Sequence, residues 1–159
     1  MAERAGVSVG TVAGRFGSKS GLLQALTRQT SAENVRRMRA AADAAADPAE
    51  GLRAALLTWF EDLTDPAEAQ NHLAQLGVDL IDPQLRALLA DLYEVTERTV
   101  LELTRRVDLP RGPGPERAAR VLTGLLYGGS MDWSVRPRGE LADRLAEDVD
   151  AVLDAWKGR

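Results

Sequence analysis

The chain has 159 residues, enough for one domain of ordinary size and a small lobe, and its 20 basic and 24 acidic side chains give a net charge of −4. It contains no cysteine, which excludes disulfides, thiol nucleophiles and cysteine metal sites. There is no signal-peptide pattern at the N-terminus, and no apolar run approaches the roughly 20 residues that a membrane span needs. We therefore expect a cytoplasmic protein that does not enter a membrane.

The charge is unevenly distributed along the chain. Residues 1–39 carry seven basic and two acidic side chains, a balance of +5, whereas the remaining 120 residues have a balance of −9. A basic lobe on an acidic body suits a protein that binds a polyanion with one end. For Arg36, Arg37 and Arg39 taken alone, we favour the simpler interpretation that they form a solvated helix face.

The first predicted elements are short helices separated by tight turns. Residues 1–5 have a helix-forming composition, and Gly6 supplies the turn that follows them. Ser8 can cap a second helix, and Ser18 can cap a third. Lys19 falls in the first turn of that third helix, where the helix dipole disfavours a cation. A cation at this position is more favourable if a phosphate lies close to it.

These residues resemble the helix-turn-helix of the TetR family of one-component repressors. The family pattern is roughly I-A-x-x-A-G-V-S-x-G-T-x-Y-x-x-F-x-S-K-x-x-L. The matching residues include both turns and both caps: Ala2, Ala5, Gly6, Val7, Ser8, Gly10, Thr11, Phe16, Ser18, Lys19 and Leu22. The resemblance implies operator DNA as a partner, with Ser8, Val9, Gly10, Thr11, Val12, Ala13, Arg15 and Lys19 on or near the recognition helix. An ordinary helical hairpin is the alternative interpretation.

The sequence departs from the family pattern at positions that bear on DNA affinity. Ala13 replaces the usual Tyr and Val9 replaces a common basic residue, so we expect few phosphate contacts, weak binding and a shallow salt dependence. The family's first helix also has no counterpart before Met1. This leaves open an alternative function, a truncated or DNA-binding-deficient dimerisation and ligand-binding module, produced by cleavage or by a late translation start.

The rest of the chain is predicted to be helical, which makes the fold all-α. A long helix from Ser18 to about Ala46 connects a partial helix-turn-helix lobe, residues 1–45, to a ligand-binding and dimerisation body, residues 46–159. Three Asp-Pro pairs predict helix starts near residues 48, 66 and 83, because Asp is a good N-cap and Pro is favoured at the first helical position. These helices are predicted to end near residues 63, 80 and 107.

The last two helices are predicted over about 115–133 and 138–156, after a proline- and glycine-rich loop at 109–115. Gly124, Gly128 and Gly129 indicate either a close helix approach or a break near the last two of them. The resemblance implies that these helices pair with a second subunit to form a homodimer. The candidate contacts are Val121, Leu125, Leu141, Leu145, Val149 and Val152; the alternative is that they face their own subunit's core.

The resemblance also implies a small-molecule effector bound among the middle helices. Aromatic walls with a few polar groups are typical of such pockets. The candidate residues are Trp59, Phe60, His72, Gln75, Tyr93, Thr96, Tyr127 and Trp133. The alternative for each aromatic residue is a place in the core, and for His72 an ordinary, partly exposed surface position.

The sequence has few of the residue patterns that enzymes use for catalysis. It has one histidine, no glycine-rich phosphate loop and no His, Asp and Glu set at metal-ligand spacing, so we expect neither an enzyme nor a cofactor or metal site. The sequence is best interpreted as a ligand-released, TetR-like transcriptional repressor.

Overall fold

The computed structural model describes residues 19–158, and all regular structure in this range is helical, which confirms the all-α fold. Six helices follow one another: α1 (Lys19–Ala44), α2 (Pro48–Leu57), α3 (Pro66–Ile81), α4 (Pro83–Thr104), α5 (Pro115–Val135) and α6 (Leu141–Lys157). Lys19 is the first residue of α1. The other predicted DNA-binding residues lie outside the described residues: Ser8, Val9, Gly10, Thr11, Val12, Ala13 and Arg15.

Three helices begin where the Asp-Pro pairs predicted. Asp47, Asp65 and Asp82 are the N-caps of α2, α3 and α4, and each is followed by a proline in the first helical turn. Each Asp side chain accepts a 2.8 Å hydrogen bond from the backbone N–H two residues later. The caps satisfy N–H groups that have no partner inside the helix, so these starts are fixed by local sequence.

Helix α2 ends at Leu57, earlier than predicted, and residues 58–62 form turns. The rings of Trp59 and Phe60 both meet the Tyr127 ring edge-on, at centroid distances of 6.3 Å. Consecutive residues in an α-helix project about 100° apart, so a continuous helix would not direct two neighbouring rings at one partner. The turns that replace the last predicted helical turn make this arrangement possible.

The core lies where α2, α4, α5 and α6 meet. Leu52, Leu56, Leu122 and Leu145 are at most 1% exposed, and Met38 brings α1 into the same cluster. Among the described helices, α3 packs only against α4 and α5, and Ala69 is its one fully buried residue. Helix α3 is therefore a cover on one side of the body rather than part of its centre.

Helix α5 runs without a break through its three glycines. A Cβ added to Gly129 would lie 2.6 Å from Leu145 Cδ2 on α6, whereas no atom of the described chain lies within 4 Å of one added to Gly124 or Gly128. The close-approach interpretation is thus correct for Gly129. The prediction of a break at residues 128–129 is wrong, because neighbouring helices support α5 along its length.

Three of the predicted subunit contacts lie in the protomer's own core. Leu141, Leu145 and Val149 are at most 1% exposed because the single apolar stripe of α6 packs against α2 and α5. This corrects their assignment to a surface open to a second subunit. Val121 is 42% exposed, and Leu125 and Val152 are partly buried beside the core.

Ion pairs attach α1 to the body. Arg37 pairs with Glu61 and Asp62 in the turns after α2, and Arg39 Nη2 lies 2.8 Å from Glu102 on α4. The predicted solvated face is therefore only partly correct, since two of its three arginines join helices. Each exposed ion pair contributes only about 0–1 kcal/mol, so these pairs fix the position of α1 more than they stabilise the fold.

None of the helices over residues 19–158 is long and apolar enough to cross a membrane.

Candidate functional site

A cavity of about 500 Å³ opens beneath α3, where this helix covers α4, α5 and the turns after α2. Its position follows from the fold, because α3 buries little of its own surface and leaves space behind it. The lining is mostly apolar. It consists of Phe60, Leu63, Ala69, His72, Leu73, Gln75, Leu76, Asp79, Leu89, Tyr93, Tyr127, Gly128, Ser130, Met131 and Ser134.

One wall of the cavity is aromatic. The rings of Tyr93 and Tyr127 are stacked, with centroids 4.5 Å apart and planes inclined by 23°. Trp59 and Phe60 hold the Tyr127 ring edge-on from the side of α2. Tyr93 is 37% exposed and lies at the mouth, so the enclosed member of the pair is Tyr127.

The Tyr127 hydroxyl is buried and has no hydrogen-bond partner in the described part of the chain. The Thr96 hydroxyl is close enough to offset part of the effect of burial on the pKa of Tyr127, but the two hydroxyls do not have hydrogen-bond geometry, and Thr96 donates to the Leu92 carbonyl at 2.8 Å. Burial, with a smaller contribution from Tyr93, raises the pKa of Tyr127 above its usual range. The phenol is therefore protonated at neutral pH and is a hydrogen-bond donor without an acceptor, a situation that costs about 1–3 kcal/mol.

The other polar groups of the cavity are already paired or lie at its rim. Gln75 Nε2 donates to Asp79 at 2.7 Å, and His72 is exposed on the same helix. The hydroxyls of Ser130 and Ser134 donate to carbonyls of their own helix at 3.0 and 2.7 Å. No Arg or Lys lines the cavity among residues 19–158. Its interior is thus uncharged, with one carboxylate at the edge.

Five of the eight predicted pocket residues lie on the cavity wall: Phe60, His72, Gln75, Tyr93 and Tyr127. Trp59 and Thr96 lie behind it, around a small void that Tyr127 also lines. The sequence did not indicate that apolar side chains of α3 would line the cavity, because this helix is short and mixed in composition. Leu63, which follows α2, could not be distinguished from an ordinary packing residue.

Trp133 does not line the cavity and requires a correction. It is 2% exposed in the core, and its indole Nε1 donates to the Gly139 carbonyl at 3.0 Å. This hydrogen bond ties the end of α5 to the turn before α6. A fully packed ring with a satisfied N–H is a structural residue rather than a ligand-facing one.

A second, strongly charged cleft lies beside the turn between α5 and α6. Asp132 pairs with Arg136, the C-cap residue of α5, and Arg144 Nη2 on α6 lies 2.5 Å from its second oxygen. These two arginines lower the pKa of Asp132. Because the carboxylate is paired at both oxygens, this cleft is an ion-pair network that positions the start of α6.

The comparisons with known proteins agree with this architecture. A family model described as the MftR C-terminal domain, a C-terminal domain of TetR-family regulators, matches residues 46–157. The match spans α2–α6 and every residue of the cavity wall. A search of the curated proteins found no match. Since the matched segment is well over half of the chain, this protein belongs to the TetR family of transcriptional regulators.

Proposed function

We propose that this chain is a cytoplasmic, homodimeric, DNA-binding repressor that a small-molecule effector releases from operator DNA. The observation that carries the proposal is the order of two independent signals. A helix-turn-helix pattern occupies residues 1–26, and a TetR-family regulatory domain follows it over residues 46–157. Helix α1 connects the two and is held to the body by ion pairs.

Binding to operator DNA is tested by a gel shift with the DNA that flanks the gene. We expect a shift at low salt that fades as the salt concentration rises, because Arg15 and Lys19 would contact phosphates. Arg15→Ala and Lys19→Ala should each weaken binding and reduce the salt slope by about one. Arg98→Ala on α4, far along the chain from the motif, is the control and should leave the shift unchanged. No shift of the unaltered chain at low salt would contradict the proposal.

The proposed homodimer is supported by an exposed face of α5, which we call the α5 stripe: Val121, Gly124, Gly128, Met131 and Val135. Its three large apolar residues are 42%, 56% and 65% exposed. No described atom lies within 4 Å of a Cβ added to either glycine, so another helix can approach the backbone closely, and Gly128 and Met131 also border the cavity. A stripe of this kind suits a twofold interface, in which the same surface of each subunit meets its copy.

The dimer is tested by placing a long side chain on the α5 stripe. The unaltered chain should have about twice its monomer mass of 17.2 kDa in light scattering, whereas Gly124→Arg should have the monomer mass. No atom of residues 19–158 lies within 4 Å of a Cβ at this position, so the substitution should leave the protomer folded. Gly77→Arg on α3 also enters open space and is the matched control, which should stay dimeric. A monomeric unaltered chain would refute this part of the proposal.

Release by the effector is supported by the turns after α2. Phe60 and Leu63 line the cavity, and the two acidic residues between them pair with Arg37 on α1. A ligand that shifts this segment would move the attachment of α1, the helix that leads to the DNA-binding lobe. The ligand needs only a different affinity for the two positions of the segment to shift their populations.

A further inference from the structure

We propose that the cavity takes an uncharged ligand with a flat, conjugated ring system and one hydrogen-bond acceptor. The ligand ring would replace Tyr93 against the face of Tyr127, and the acceptor would receive the hydrogen of the Tyr127 hydroxyl. This inference rests on the proposed ligand-responsive function and states the chemistry of its effector.

The residues that line the cavity indicate that the ligand is uncharged. Within the described residues the wall has no Arg or Lys, so an anion would lose its hydration with at most one neutral donor, the Tyr127 hydroxyl, in exchange. The one carboxylate of the lining, Asp79, is partly exposed to solvent and already accepts a hydrogen bond from Gln75. A cation would be held at the mouth and not in the apolar interior. An uncharged molecule is the class for which burial in this cavity is favourable.

The flat ring follows from the aromatic wall. Tyr127 is held edge-on by two rings and presents a face to Tyr93 at 4.5 Å, a distance typical of stacked aromatic pairs. Tyr93 is 37% exposed and can turn toward water, whereas its partner is enclosed. A conjugated ring that enters the cavity can therefore take the place of Tyr93 and keep the stacking contact.

The acceptor follows from the unsatisfied phenol. The Tyr127 hydroxyl is a buried donor without a partner, while the hydroxyls of Ser130 and Ser134 are engaged by their own helix. The hydroxyl has no solvent-accessible surface while Tyr93 is stacked on the Tyr127 ring, so the ligand reaches it only by displacing Tyr93. A ligand oxygen or nitrogen placed there would give this donor the acceptor that the protein does not supply in the described part of the chain.

The test uses four probes of nearly equal shape in calorimetric titrations of the full chain at pH 7. These are 2-acetylnaphthalene, its alkene analogue 2-isopropenylnaphthalene, the anion 2-naphthoate and the cation 1-(2-naphthyl)ethylammonium. We expect the ketone to bind about fivefold more tightly than the alkene, the effect of one neutral hydrogen bond. Both charged probes should bind at least about tenfold more weakly than the ketone, because of their desolvation.

Tyr127→Phe should abolish the preference for the ketone over the alkene while it leaves the affinity for the alkene unchanged. The variant keeps the ring and removes only the buried donor, so it should fold. Tyr93→Phe is the matched control, because it removes a hydroxyl from the half-exposed member of the same pair, and it should retain the preference.

Other results would overturn the proposal in identifiable ways. Equal affinities for ketone and alkene would reject the acceptor, and tighter binding of a charged probe would reject the neutral class. Failure of all four probes to bind would reject the aromatic class. None of these titrations contains DNA, so they are independent of the gel shift. A missing gel shift would reject the repressor function without changing the probe affinities.

Discussion

Trp133→Ala should lower the free energy of unfolding by about 3–5 kcal/mol, the usual cost of removing a large aromatic side chain from a core. The ring is 2% exposed and belongs to the cluster that also contains Leu141 and Leu145. The substitution also leaves the Gly139 carbonyl without the indole N–H that it accepts at 3.0 Å. Urea denaturation followed by circular dichroism would measure the loss.

Trp156→Ala is the size-matched control for this experiment. Trp156 is only partly buried against the core, so its loss should cost clearly less than that of Trp133. Trp133→Phe should be intermediate, because it keeps an aromatic ring but loses the hydrogen bond. If Trp133→Ala instead left stability intact and abolished binding of 2-acetylnaphthalene, Trp133 would be a ligand contact and its assignment to the core would be wrong.

Helix starts could be predicted from the sequence, and helix ends less well. Asp47, Asp65 and Asp82 act on N–H groups two or three residues away, so the information is local and visible in the sequence. The turns after α2 place two adjacent rings against Tyr127, which lies about seventy positions further along the chain. No local pattern contains that contact. The prediction therefore continued the helix past Leu57.

The difference between local and long-range information also explains which cavity residues could be predicted from the sequence. Aromatic residues are scarce in this chain, so listing them identified Phe60, Tyr93 and Tyr127. Residue type alone could not separate them from Trp133, because it does not show whether an aromatic ring lines a cavity or fills the core. Likewise, the apolar stripe of α6 predicted a packed face, but only the fold shows that α2 and α5 of the same subunit cover it.

Two helical glycines show most clearly that the neighbouring helix, and not the local sequence, determines whether a glycine is required. Gly51 in α2 is buried where this helix crosses α1, and a Cβ added there would lie 2.7 Å from the Ala42 carbonyl oxygen. At Gly77 in α3, the same added group has no neighbouring atom within 4 Å among the residues that the structure describes. Both are helical glycines in the sequence, and nothing in their immediate neighbours distinguishes them.

Gly51→Ala should therefore destabilise the protein by about 1–3 kcal/mol, the range for overpacking a close contact. The obstructing atom belongs to the α1 backbone, which cannot rotate away as a flexible side chain would. The two helices must separate by several tenths of an ångström or more, and α1 would shift with respect to the body. Denaturant unfolding would measure the destabilisation, and the gel shift would reveal whether the displaced α1 also weakens operator binding.

Gly77→Ala is the control that isolates the energetic cost of the close contact between α1 and α2. Both substitutions replace a helical glycine by alanine and gain the same backbone term, about 0.4–1 kcal/mol, by restricting the unfolded chain. Gly77→Ala should show that gain alone and stabilise the protein, because its methyl group enters open space. The difference between the two variants is then the energy of forcing α1 and α2 apart. Equal effects of the two substitutions would mean that the helices do not approach as closely at Gly51 as the structure shows.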